Sequence, residues 1–381
     1  MMKKIFGLLL LMTLPVVSVA GDLSFGVQYQ MWDLNSSLPN NGSEIWVPAS
    51  MVLNLNDDIK LYGQGMFGNG NYTDSTTGLT QTQNLTSFSD TILGSELHFK
   101  SFGLPAILNI AFNVPTGDPS WELKQFQANI PTEFVDSRYR GRGFGVNAMY
   151  GISVPSGGGE YGLALGYSYS GAFNPNYGAG IAIDQLKLGD SAFFSLNHFQ
   201  PFTGDQSEVI RLSVFQGLPT QQNGQNVLQL GMNFNASYGW TNPKGLSFEV
   251  GGQAWLPSQV SNNGQWGTEP KLSLGPRFYL NPSYAFGDLS IAGRFKYIMQ
   301  NGYDVSEIGS YDGGGFLFGI EPSYTVKLGS DSALRLFASY DDIIATNMGN
   351  VVDPSTGIQT GQHTNLYYNH FTFGTNYQIK L

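Results

Sequence analysis

Seven basic side chains recur on the polar phase of alternating segments in the second half of this 381-residue chain. They are Arg211, Lys271, Arg277, Arg294, Lys296, Lys327 and Arg335, and Glu249, Glu321, Gln229, Asn233 and Asn235 share their phase. Rows of cations set against a few carboxylates create a transverse field in a water-filled passage, and with it a preference for one sign of ion or solute. The plainer chemistry for the same residues is a set of salt bridges that fill a narrow interior and pass nothing. A second group of side chains lies in one long interruption of the pattern, residues 116–142. It carries Trp121, Leu123, Phe126, Ile130, Phe134 and Tyr139, too apolar a set for a purely solvated loop, and ends in Arg138, Arg140 and Arg142. Those guanidinium groups suit an anionic solute or the phosphates of lipopolysaccharide, or else snorkel at a membrane rim.

Hydrolytic chemistry has less to work with. There is no cysteine, hence no disulfide framework, thiolate metal site or cysteine nucleophile. Of the four histidines, His98 and His370 read as mid-strand or lower interior residues, His363 sits beside Asn365 in a loop, and His198 fits either setting. Asp341 and Asp342 are adjacent, and adjacent strand residues point to opposite faces, so the two carboxylates do not act together. The sequence therefore predicts no enzyme, no cofactor and no metal. A balance of 18 Lys and Arg against 28 Asp and Glu argues against nucleic acid as a partner.

The elements that must position these groups are strands. In Leu289-Ser-Ile291-Ala-Gly293-Arg-Phe295-Lys-Tyr297 the apolar and polar residues fall on opposite sides, the period-two signature of a sheet. Segments of this kind recur from Leu23 to Leu381 and leave nothing over for a covering helix layer. A long sheet with one uncovered apolar face needs an apolar solvent, and the bilayer accepts a sheet only when it is closed. The fold class is therefore all-β, a single antiparallel transmembrane barrel of sixteen strands, with fourteen as the alternative because 172–190 reads as loop or short strand. Among the segments are 88–100, 226–239 and 366–381. Tight turns such as Ser101-Phe-Gly103 and Gly287-Asp288 alternate with polar loops, matching short periplasmic turns and long external loops. Turned to lipid, each mid-strand Arg or Lys would cost about 2–4 kcal/mol near the midplane, so these side chains face the interior. Composition agrees: 49 Gly let tilted strands curve, 14% aromatics form interfacial girdles, and 12% charged residues is low for a soluble domain.

Ahead of the barrel, Lys3 and Lys4 precede an apolar run from Ile5 to Val17 and the small residues Ser18-Val19-Ala20. This reads as a signal peptide over 1–20 cleaved after Ala20, leaving 21–381 as the barrel and the bacterial outer membrane as its destination.

Three stretches resemble known families. The last strand, with Phe371, Phe373, Tyr377, Ile379 and Leu381 on one face, resembles the terminal signal that hands barrels to the assembly machinery. The 116–142 loop follows the fifth strand, as does the constriction loop of general porins, which it resembles in order and length but without their Pro-Glu-Phe-Gly-Gly run. Phe88-Ser-Asp-Thr91-Ile-Leu-Gly94, with Leu108-Asn-Ile110-Ala-Phe112-Asn-Val114-Pro115-Thr116-Gly117-Asp118, resembles the phenol-degradation (MetA-pathway) outer-membrane proteins, with Ser89-Asp90 where those carry Gly-Asp. That resemblance implies passage of small hydrophobic or aromatic compounds and names no site residue. The expected function is passive diffusion of small solutes through a lumen lined by the basic residues and narrowed by 116–142, in contact with outer-membrane lipid and lipopolysaccharide. A non-conducting structural or adhesive barrel, or an outer-membrane hydrolase, are the alternatives.

Overall fold

The computed structural model describes residues 20–34, 40–74, 81–119, 141–174, 185–202, 206–229, 231–256, 259–262, 265–266, 273–301, 313–346 and 365–381. In chain order the strands are β1 (Ala20–Leu34), β2 (Asn40–Asn54), β3 (Ile59–Asp74), β4 (Gln81–Phe88), β5 (Thr91–Ser101), β6 (Leu104–Val114), β7 (Gly145–Ser156), β8 (Gly159–Ser170), β9 (Ala172–Phe173), β10 (Leu186–Lys187), β11 (Ser191–Pro201) and β12 (Ser207–Gly217). They continue as β13 (Thr220–Gln222), β14 (Gln225–Gln229), β15 (Asn233–Thr241), β16 (Leu246–Trp255), β17 (Gln259–Asn262), β18 (Gln265–Trp266), β19 (Ser273–Phe286), β20 (Leu289–Asn301), β21 (Gly313–Lys327), β22 (Ser332–Thr346) and β23 (Asn365–Lys380).

Sixteen of these close a barrel: β1, β2, β3, β5, β6, β7, β8, β11, β12, β15, β16, β19, β20, β21, β22 and β23, each antiparallel to the next. The seam joins the two ends of the chain, β1 to β23, from Asp22 opposite Lys380 to Leu34 opposite Tyr368. Closure removes the sheet edge and satisfies every ladder group without water. The period-two pattern cannot show where a strand is broken or leaves the barrel, and there the observed strands depart from the expected ones. The expected strand 88–100 starts earlier and is broken: β4 pairs with the external half of β3, β5 with the other half, and Ser89-Asp90 forms the gap. The expected strand 226–239 is two elements, because β14 leaves the barrel and only β15 enters it. The described residues of the ambiguous 172–190 add no strand to the barrel, and the strands that pair around it number sixteen, not the alternative fourteen. Within 172–190, β9 and β10 join β13, β14, β17 and β18 in a small second sheet on the long-loop side.

Tight turns on the other side use left-handed residues where the strand twist demands them. Phe102 and Gly103 turn β5 into β6 with φ of 53° and 78°, and Gly157 and Gly158 do the same between β7 and β8. The outer face is apolar: Phe295, Phe316, Phe318 and Phe373 are between 40% and 48% exposed. Tyr297 packs on Phe316 with ring centroids 4.7 Å apart, and Phe371 on Tyr340 at 4.8 Å. The inner face is not uniformly polar. Toward the external end Trp32, Ile298, Leu317, Ile343 and Tyr368 are buried on the inner phase of β1 and β20–β23, and this is where the core sits.

Because the protein lacks cysteine, single cysteines report the faces cleanly. Thr372→Cys should react with a charged, membrane-impermeant thiol reagent in folded protein, and Phe373→Cys should resist it. The reverse pattern would mean the register of β23 is wrong.

Candidate functional site: the lumenal wall

Register brings together residues that sequence scatters. One ladder row crosses seven neighbouring strands: Arg294 lies opposite Gly319, Gly319 opposite Asp341, Asp341 opposite His370, His370 opposite Trp32, Trp32 opposite Gly42, and Gly42 opposite Tyr72. All of these residues therefore share the inner face. Their polar atoms, with those of inward-facing residues in the rows nearer the short turns, form a continuous chain. Arg335 Nη2 lies 2.8 Å from Glu321 Oε1, and Arg294 Nη1 lies 3.7 Å from Glu321 Oε2. Arg294 Nη2 reaches Asp341 Oδ1 at 2.8 Å, and His370 Nδ1 lies 2.8 Å from Asp341 Oδ2. His370 Nε2 is 3.2 Å from Gln30 Oε1, and Gln30 Nε2 donates to Glu44 Oε2 at 2.6 Å. Trp46 Nε1 and the Tyr72 hydroxyl also donate to Glu44.

Burial falls steeply along this chain. Glu44, Asp341 and His370 are almost fully enclosed, whereas the Arg335 side chain is 47% exposed. Gly319 makes the middle of the chain possible: a Cβ there would sit 2.0 Å from Asp341 Oδ1. Nearby, Tyr279 lies across Gly251 and Phe337 across Gly374, so lumenal rings lie flat on the wall instead of filling the passage.

The expected lining residues fall as follows. Arg277, Arg294, Lys296, Glu321 and Arg335 border one lumenal cavity of about 880 Å³, together with Glu249, Asp341 and His370. Arg211, on β12, lies 3.4 Å from Glu249, which also accepts from the Tyr279 hydroxyl at 3.1 Å. Lys327 is exposed at the short-turn end of β21. Lys271, Trp121, Phe126, Arg138 and Arg140 lie outside the described residues. Arg142 is described, and it borders a second lumenal cavity of about 880 Å³. Where an acidic wall might have faced a basic one, the carboxylates are interleaved with the arginines. His370 sits in the external part of β23, not in the lower interior, because β23 starts at the long-loop end. His198 lies on the outer face of β11, stacked on Tyr161 at 4.3 Å. Glu44, Gln30 and Tyr72 went unnoticed in the sequence, since each is one polar residue among many on its strand.

Two aspartates just ahead of inward-running strands tie loop stems together. The Asp90 carboxylate accepts from Gly117 N at 2.9 Å, Arg142 N at 2.7 Å and Asn113 Nδ2 at 2.8 Å. Asp190, in the loop ahead of β11, accepts from Ser170 N at 2.9 Å and the Tyr167 hydroxyl at 2.7 Å, with Lys187 Nζ 3.4 Å away. Burial pushes the Asp190 carboxyl up, but the Ser170 N–H, the Tyr167 hydroxyl and the Lys187 ammonium outweigh it and hold it below the usual carboxylate range.

A closed sixteen-stranded barrel with an aromatic exterior and a charged interior is a transmembrane β-barrel of the bacterial outer membrane, porin-like in architecture. No protein-family model matches the chain, and no curated protein matches it in sequence. Among solved structures it is similar in fold to OccAB3 of Acinetobacter baumannii, with 9% identity, a TM-score of 0.51, and coverage of 96% of this chain and 100% of that one. It also matches OpdQ of Pseudomonas aeruginosa (11% identity, TM-score 0.49, 96% of this chain and 99% of that one). A further match is an outer membrane channel of Pseudomonas putida F1 (10% identity, TM-score 0.36, 96% and 97%). At these identities the likeness is one of fold.

Two outcomes follow from the geometry. Arg294→Met strands the enclosed Asp341 and should cost about 3–5 kcal/mol of barrel stability, whereas Arg335→Met, at a half-exposed pair, should cost about 1 kcal/mol or less. Denaturant unfolding in detergent, read by heat-modified gel mobility, compares them, and equal losses would contradict the burial gradient. The stabilisation that Asp190 contributes over Asp190→Asn should be complete above the ordinary carboxylate pKa of about 3.9. It should be lost as pH falls through the lower folded value, because only the ionised form accepts all its donors. A pH series of the two proteins checks this.

Proposed function

We propose that this barrel is a channel for passive diffusion of small solutes, with Arg211, Lys271, Arg277, Arg294, Lys296, Glu321, Lys327 and Arg335 lining its lumen and biasing it toward anionic or polar groups. The observation that carries the reading is the 880 Å³ lumenal cavity bordered by Arg277, Arg294, Lys296 and Arg335. A purely structural filling of the interior would have no need of half-exposed guanidinium groups such as Arg335 facing that space. Arg211, Arg294 and Arg335 each pair with a carboxylate, so the field they create is that of an interleaved lattice with a small cationic excess. Such a lattice orients a dipolar or anionic solute without holding it tightly.

In this reading 116–142 narrows the passage, with Trp121, Phe126, Arg138, Arg140 and Arg142 at the constriction. Residues 1–20 act as the signal peptide and 21–381 form the barrel. The assembly machinery reads the apolar face of the last strand, and outer-membrane lipid and lipopolysaccharide surround the exterior. The resemblance of 88–94 and 108–118 to the phenol-degradation proteins extends the reading to small aromatic or hydrophobic compounds as cargo. No catalytic group is part of it.

Planar-bilayer recording tests the proposal. The purified, folded protein should conduct, and Arg277→Gln with Arg335→Gln should lower its anion preference in a salt gradient while folding stays nearly intact. A folded sample that never conducts would favour the structural or adhesive barrel. Unchanged selectivity in the double variant would remove the lining role of these residues. Liposome swelling with sugars, amino acids and aromatic acids then sorts a general porin from a channel for aromatic compounds.

A further inference from the structure

The outer face of the barrel carries one acid where its phase is otherwise apolar. Along β12 the outward residues are Glu208, Ile210, Leu212 and Val214, and Ile210 and Leu212 are 38% and 45% exposed. Among the described barrel strands, Glu208 is the one Asp, Glu, Lys or Arg that falls on the outer phase in the half nearest the short turns. The other outward acids, Asp33 and Asp342, stand at the long-loop end. Near the bilayer boundary a lipid-facing carboxylate costs little. What singles out Glu208 is its company.

Glu208 lies opposite Trp240 on β15, and Trp240 lies opposite Phe248 on β16. The Trp240 and Phe248 rings are 5.6 Å apart, and those of Tyr238 and Phe248 are 5.9 Å apart. The Tyr238 hydroxyl donates to Glu208 Oε2 at 3.2 Å, and among the described residues Glu208 forms no ion pair. Lys244, in the turn between β15 and β16, is exposed and does not reach it. The three residues between β11 and β12 that lie outside the described residues are Thr203, Gly204 and Asp205, so by sequence they add an acid and no base. A carboxylate beside aromatic faces suits an alkylammonium: the acid supplies charge and an acceptor, and the rings attract the cation.

A second polar group stands one step deeper in the bilayer. Gln200 on β11 lies opposite Glu208, and His198 is two residues farther from the turn on the same strand. His198 and Glu208 are therefore diagonal neighbours, about 7–8 Å apart. The His198 ring is fixed by its stack on Tyr161, and its Nδ1 has no hydrogen-bond partner among the described residues. In a phospholipid the phosphate lies nearer the acyl chains than the headgroup amine does. An imidazole on the hydrocarbon side and a carboxylate on the water side match phosphoethanolamine in order and direction.

We propose that the outer face of β11, β12, β15 and β16 at the short-turn end binds phosphatidylethanolamine. Glu208 with the Trp240, Phe248 and Tyr238 rings takes the ammonium, and His198 takes the phosphate. The site goes beyond the channel reading and does not depend on it, since a barrel that never conducts would hold the same lipid. An ordinary aromatic girdle anchors the barrel at the interface without choosing a headgroup. Here the headgroup is chosen, because phosphatidylglycerol offers Glu208 no cation.

Native mass spectrometry of the folded barrel tests this. The protein is released from micelles doped with equal amounts of phosphatidylethanolamine and phosphatidylglycerol of the same acyl chains, and the retained lipids are counted. The wild type should retain the ethanolamine lipid several-fold over the glycerol lipid. Glu208→Gln keeps the shape and removes the charge, and it should bring that ratio close to one. His198→Phe keeps the stack on Tyr161 and removes the ring nitrogens, so it should lower retention of both lipids. Tyr324→Leu, on the outward phase of β21 and 47% exposed, lies away from the site and should keep the wild-type ratio. Should Glu208→Gln fail to fold, the wild type is offered N-acetylated phosphatidylethanolamine, whose amine carries no charge, and retention should fall to the phosphatidylglycerol level. A wild-type ratio near one would overturn the proposal, as would a preference that survives Glu208→Gln or N-acetylation. A Tyr324→Leu loss as large as that of Glu208→Gln would reduce the site to a general girdle effect and overturn it too. Unchanged retention in His198→Phe would remove the phosphate half.

Discussion

In hydrocarbon a backbone N–H or C=O without a partner costs several kcal/mol, and no water is available to relieve it. The rest of this structure depends on that constraint. It forces the sheet to close, and closure joins β1 to β23 across almost the whole length of the chain. Once the seam register is set, every strand's inner face is set too, because one residue of slip would exchange the apolar exterior for the charged interior. The irregularities appear where the constraint relaxes. The β4–β5 break and the small second sheet both lie toward the long-loop end, where side chains such as Asp90 and Asp190 satisfy backbone donors that no ladder reaches.

Closure also decides how charge is stored. Arginines that read as a row along the sequence become neighbours of carboxylates from other strands, so Arg294 meets both Glu321 and Asp341. Pairing lowers the cost of holding these groups beside buried aromatic side chains, and the gradient from enclosed Asp341 to half-exposed Arg335 separates enclosed charge from charge exposed in the lumen. Glycine contributes by absence. At Gly319 the missing side chain admits a carboxylate, and at Gly251 and Gly374 it admits a ring lying along the wall. The width of the lumen therefore depends as much on where glycines sit as on the strand number.

Alternation along the chain was enough to read an all-β closed barrel, a strand count near sixteen, the direction of the loops and the outward face of Phe295, Phe318 and Phe373. Period two is a local property: side chains two apart share a face whatever their partners are. The local pattern also separated Asp341 from Asp342, one facing in and the other out. Its limit appears at 226–239, where two segments of the right phase looked like one strand although only the second belongs to the barrel.

Tertiary structure alone decided which inward residues meet. Gln30 and His370 lie 340 positions apart and share a contact because β1 and β23 form the seam. The motif around Asp90 and the one around Gly117 were both visible as sequence, yet nothing local indicates that one carboxylate binds the backbone of the other segment. The buried patch at the external end of the lumen was hidden for the same reason, since Leu317, Ile343 and Tyr368 look like any other apolar strand residues. A sequence specifies the face on which each side chain stands. Its neighbours across the sheet follow from register, and register is fixed only when the whole barrel has closed.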